Sequence, residues 1–152
     1  MTQRERAAHH EAGHAVLAFH FRRRIRSVTI EDGTGLTRCT ELSPTARNIM
    51  PVEVWRKHVR EEVVLCLCGP ISEWLYSSTS DPTAWAADMR MARRWLQELG
   101  VDGIPPAFVA TTRRLLMGRW SAVRGVAARL IENGSMNGGD VTALCREVWR
   151  RV

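Results

Sequence analysis

No stretch of this sequence stays apolar for anything near the ~20 residues that a helix needs to cross a bilayer. That excludes a membrane-spanning helix within the chain. C-x-x-C pairs are also missing. The four cysteines, Cys39, Cys66, Cys68 and Cys145, leave no pattern for a cysteine zinc knuckle. Cys66 and Cys68 stand two apart in a helical pattern and point to nearly opposite faces, so buried free thiols are expected. Aromatic residues make up only 7%. The net charge of +6 comes almost entirely from scattered arginines with little aromatic interleaving, so nucleic acid is not the expected partner. Internal repeats and low-complexity segments are absent. What remains is 152 residues, 45% hydrophobic and 25% charged, an ordinary balance for one compact domain spanning 1–152. The first residues enter a polar, capped helix at once. No signal peptide and a cytoplasmic location are the resulting expectations.

Against this plain background one segment stands out. Residues 10 to 14 read His10-Glu11-Ala12-Gly13-His14, an H-E-x-x-H motif. On a helix, positions i and i+4 share a face one turn apart. Two neutral imidazoles at that spacing can bind one Zn²⁺, and the adjacent Glu11 can take the proton of a water activated there. A helix is the expected setting. Thr2 and Glu5 form a capping box, and Ala8, Ala12, Ala15, Val16 and Phe19 recur as an apolar stripe. The helix is expected to end in the basic run Arg22-Arg23-Arg24. Gly13 costs about 1 kcal/mol in a helix interior and calls for another backbone packed closely against it. His9, His20 and His58 have no comparable constellation and read as structural or surface histidines.

The rest of the chain predicts a mainly α fold with a small β-hairpin or sheet. Ile25 to Ile30 reads as a strand, Asp32 to Gly35 as a turn and Leu36 to Leu42 as the return strand. After a loop over Ser43–Met50, a helix opens at Pro51 and runs to about Cys68, where Gly69-Pro70 breaks or kinks it before a short helix to Tyr76. Asp81-Pro82 opens the next helix, closed near Leu99 by Gly100. One long helix is predicted from Ala107 to about Asn133. The last begins at Asp140, after Gly138-Gly139.

A catalytic zinc site usually has three protein ligands and one open position. Asp88 and Glu73 are the two candidates for the third. Asp88 falls among Trp85, Met89, Ala92, Trp95, Leu96 and Leu99, on the apolar face of its helix, where a carboxylate is costly unless paired or bound to metal. Glu73 sits beside Ile71, Trp74 and Leu75. Spacing and burial favour Asp88, and a buried salt bridge to an arginine is the bland explanation for either acid.

These residues resemble a family. His9 to Val16 looks like the metal helix of the FtsH-type ATP-dependent zinc peptidases. Ile25 to Ile30 with Gly35-Leu36-Thr37 resembles that family's strand-turn-strand. Cys68-Gly69-Pro70-Ile71-Ser72-Glu73-Trp74-Leu75 is similar to its G-G-R-x-A-E-x-L segment, with Pro70 in place of the usual arginine. Asp88-Met89-Arg90-Met91-Ala92 resembles its D-x-x-x-A segment. The resemblance implies a zinc peptidase domain built as an H-E-x-x-H helix plus a helical bundle. It implies His10, His14 and Asp88 as zinc ligands, Glu11 as general base and Glu73 as a supporting acid. The sequence contains no Walker A motif, so the family's ATPase module is not encoded in these residues. The expected activity is hydrolysis of peptides or unfolded protein, with or without a separate ATPase as partner. The alternatives are a catalytically silent interaction module and, more remotely, a nucleic-acid binder. The family's hexameric state depends on the missing module and does not carry over.

Overall fold

The computed structural model describes residues 1–151. Six α-helices and a three-stranded antiparallel sheet make up its regular elements. Helix α1 spans Gln3–His20 and opens on the expected capping box. The Thr2 side chain accepts from Glu5 N, and the Glu5 carboxylate accepts from Thr2 N. It ends two residues before the basic run. Arg22 then takes a left-handed turn at φ 59°, and Arg23 N closes back on the Ala18 carbonyl.

Strand β1 (Ile25–Glu31) pairs with β2 (Thr34–Cys39) across a two-residue turn. The return strand starts earlier than the predicted Leu36. Asp32 and Gly33 alone adopt the positive φ values (47° and 81°) that a tight hairpin needs, which leaves Thr34 and Gly35 free to pair. β2 stops at Cys39 because its partner begins at Ile25, the residue opposite. A third strand, β3 (Ser135–Asn137), pairs with the other edge of β1, giving the order β2-β1-β3. The periodicity did not predict it, since three residues are too few to show alternation.

The helices correct several expected boundaries. The loop after β2 contains a short 3₁₀ turn, Pro44–Asn48. Helix α2 runs unbroken over Val52–Ser77, straight through Gly69-Pro70. Pro70 has no N–H for the Cys66 carbonyl, but Gly69 and Pro70 are both buried, and packing holds the helix together there. Helix α3 (Ala86–Glu98) starts later than Pro82. Asp81 caps only a preceding turn, accepting from Ala84 N. The predicted long helix is two, α4 (Pro106–Met117) and α5 (Trp120–Asn133), separated at Gly118-Arg119. Helix α6 (Gly138–Arg150) begins at Gly138, with Asn137 as its cap.

The core gathers around α1. Ala8, Ala12, Ala15, Val16 and Leu17 are fully buried together with Val28, Val123, Val126, Leu130 and Val141 from the sheet, α5 and α6. The small residues on α1 let α2 approach closely. A Cβ at Gly13 would lie 2.6 Å from both the Cys68 carbonyl oxygen and Ser72 Cβ. Ser72 Oγ donates to the His9 carbonyl at 2.6 Å within the same contact. The glycine within α1 therefore has the close backbone neighbour it called for. All four cysteines are free thiols, and burial pushes Cys66 and Cys145 up to about 12. No helix among the described residues is long and apolar enough to cross a membrane.

Candidate metal centre

Three side chains from two helices meet at one point. His10 and His14 project from α1, and Asp88 comes from the first turn of α3. His10 Nε2 lies 2.9 Å from Asp88 Oδ2, His14 Nε2 lies 3.5 Å from the same oxygen, and the two Nε2 atoms are 3.3 Å apart. Among the described residues this is the one group of three or more metal-ligating side chains that converges. Ligand atoms bonded at ~2.0–2.1 Å to a tetrahedral ion stand about 3.3 Å from one another. The triangle here has that size. The donor set, two imidazoles and a carboxylate, is one that suits Zn²⁺. Gly69 makes room for it, because a Cβ there would fall on the Nε2 atoms of both histidines.

Both rings are oriented from behind. His14 Nδ1 donates to the Leu65 carbonyl at 2.9 Å, and His10 Nδ1 donates to Glu73 Oε2 at 3.1 Å. A carbonyl and a carboxylate only accept, so each Nδ1 carries a proton, and a ring that gives up its Nε2 proton turns that lone pair to the shared point. Glu73 is itself held on three sides. Trp85 Nε1 donates to Oε2 at 2.7 Å, and Arg6 donates to Oε1 through Nε at 2.9 Å and Nη2 at 2.5 Å. Arg6 also reaches Asp81 at 3.5 Å, tying α1 to the segment that leads into α3. Glu73 thus stands behind His10, while Asp88 occupies the third corner.

The charges in this cluster lean on one another. Burial opposes ionisation of Asp88, yet hydrogen bonds from His10 and His14 outweigh it and hold the carboxyl well below the usual carboxylate range. Burial also works against charge on His10, but Asp88 and Glu73 more than offset it and raise its pKa. His14 is raised well above the ordinary imidazole value against a still larger burial effect, through Cys68 and Asp88. For Glu73 the burial effect is overcome by His10, Trp85 and Arg6, and its pKa is lowered.

His10, Glu11, His14 and Asp88 all face one cleft of about 590 Å³. Its opposite wall is β2, from Thr34 to Thr37, with the Asp32-Gly33 turn. Glu11 is buried and receives a hydrogen bond from Thr37 Oγ1 at 2.7 Å. Thr37 was absent from the sequence-based candidates for the site; only its place two residues after Gly35 on a strand facing α1 could have pointed to it. A larger cavity, about 720 Å³, lies at the far end of α1 among Arg22, Arg24, Arg146 and Trp149, with no converging metal-ligating set. His9, next to the cluster in sequence, turns the other way. It stacks on Tyr76 at 3.5 Å and bonds the Glu5 carbonyl through Nδ1. His20 and His58 also lie outside the cluster. No known protein-family profile matches the chain, and no curated protein matches it.

Proposed function

We propose that this chain is a zinc-dependent metallopeptidase domain of the FtsH type. The observation that carries the reading is the placement of His10, His14 and Asp88 around one point, with Glu11 facing the same cleft. His10, His14 and Asp88 would hold the ion. When bound, Zn²⁺ supplies Lewis acidity that lowers the pKa of a water towards neutrality and polarises a peptide carbonyl.

The chain's own residues do the rest. Glu11 receives the proton of the attacking water and returns it to the departing amine nitrogen. Glu73, Arg6 and Trp85 keep His10 in the tautomer that leaves Nε2 free. Among the described residues no strand pairs with the outer edge of β2; β1 lies on its other side. An extended peptide laid along that edge gains backbone hydrogen bonds and runs past Glu11. Such a site suits peptides and unfolded segments, whose backbone is free to pair. A separate ATPase would extend the range to folded substrates.

The test is hydrolysis of unfolded casein by the zinc-loaded protein and by Glu11→Gln. The variant keeps its zinc, and its turnover falls by about 10²- to 10⁴-fold. A variant that cleaves at the wild-type rate refutes the role of Glu11. A wild-type protein that holds stoichiometric zinc yet cleaves nothing in a broad peptide library refutes the enzyme and leaves a silent interaction module.

A further inference from the structure

We propose that strand β2 carries a seat for the Glu11 carboxylate, with Thr37 as its positioning residue and Gly35 as the gap that admits it. The inference rests on the reading of Glu11 as the proton-transfer base.

Glu11 is only 5% exposed. A buried carboxylate is costly unless it is paired or hydrogen-bonded. Among the described residues no arginine, lysine or histidine forms an ion pair with Glu11, although the chain carries 22 lysines and arginines. Its side chain is held instead by a neutral donor, Thr37 Oγ1, at 2.7 Å from Oε2. The same hydroxyl lies 3.2 Å from the Glu11 backbone carbonyl, so it is anchored against the backbone of that residue as well as against its carboxylate. The directionality of that hydrogen bond fixes where the carboxylate points.

Gly35 completes the arrangement. Residues two apart on a strand share a face, so Gly35 and Thr37 both look towards α1. A Cβ at Gly35 would collide with Glu11 Cγ and come within 2.8 Å of Oε1 and 2.9 Å of Cδ. Gly35 is not among the glycines with positive φ, so the strand needs it for space and not for backbone conformation. Register is fixed from the other side. Thr37 pairs with Val28 and Gly35 with Ile30, both buried, and a slip of one residue would turn those side chains out of the core. The core of the sheet thereby sets where the base points.

The test compares zinc-loaded wild type with Thr37→Val, Thr37→Ser and Gly35→Ala, measuring kcat and KM on an unfolded casein peptide and zinc affinity by chelator competition. Valine keeps the shape of threonine and removes the donor. Thr37→Val and Gly35→Ala should each lose about 10- to 100-fold in kcat, with KM and zinc affinity near wild type. Thr37→Ser should recover most of that loss. Urea unfolding identifies any variant that fails to fold; if Thr37→Val does, Gly35→Ala and Thr37→Ser decide the matter. Wild-type kcat in either damaging variant, a serine no better than valine, or a parallel loss of zinc affinity overturns the seat. A zinc-loaded wild type that hydrolyses nothing overturns the peptidase reading itself, and the seat with it.

Discussion

Glu73 holds His10 by the ring nitrogen that faces away from Asp88. Its Oε2 lies 3.1 Å from Nδ1, and Asp88 Oδ2 lies 2.9 Å from Nε2 on the opposite side of the same imidazole. One histidine thus stands between the two acids that the sequence offered as rivals, and their positions give them different work.

That difference is measurable in zinc affinity. Glu73→Gln places an amide NH₂ among donors from His10, Trp85 and Arg6, so the ring loses its support but the ligand atoms remain. Affinity should fall about 10- to 100-fold for Glu73→Gln and by more than about 100-fold for Asp88→Ala. Chelator competition with a zinc-sensitive dye reads both. A larger loss in the Glu73 variant would exchange their roles.

Gly13→Ala sets two effects against each other. Alanine gains about 1 kcal/mol of helix propensity over glycine. Its methyl group would lie 2.6 Å from the Cys68 carbonyl oxygen and Ser72 Cβ, neither of which is the free end of a flexible chain. Overpacking of this kind costs about 1–3 kcal/mol, so the variant should be less stable on balance. Urea unfolding measures it, and a midpoint above wild type would show that α1 and α2 separate easily.

His20 should titrate below the ordinary imidazole value of 6.5. Burial lowers its pKa first, and Arg119 adds to the effect, with Nη2 2.8 Å from Nδ1. Arginine only donates, so Nδ1 accepts and the ring is neutral. A histidine whose folded pKa is depressed contributes stability that is present above the unfolded pKa, and that contribution is lost as the pH falls through the folded one. The loss therefore begins below about pH 6.5. Proton NMR of the His20 ring follows the titration directly. Arg119→Met should move the midpoint up towards the ordinary value, and a wild-type midpoint at or above it would contradict the geometry.

The parts of the molecule written in local chemistry were legible in the sequence. The Thr2–Glu5 box, a turn opening at Asp32 (though shorter than expected) and the spacing of His10 and His14 each depend on residues a few positions apart. Burial logic also singled out Asp88 and Glu73, which the structure brings to the front and back of one ring. What the sequence did not reveal depends on distant partners. Helix α2 passes through Gly69-Pro70 because α1 packs there. Helix α3 starts late, its first turn preceded by Trp85, whose indole bonds to Glu73, twelve residues earlier. The break at Gly118-Arg119 sits in a pattern whose helical period continues on both sides. Thr37 escaped notice because a threonine on a strand is ordinary until the residue above it is known.

The strand order has a practical consequence for anyone shortening the chain. β1 is the middle strand only because Ser135–Asn137, more than a hundred residues later, returns to cover it. A version trimmed before Ser135 would bare a second edge on the sheet, on the side away from the cleft, and would take with it the α6 contribution of Val141 and Cys145 to the core. Raw edges recruit one another. Such a fragment would clump through β1 even with every residue of the cleft intact.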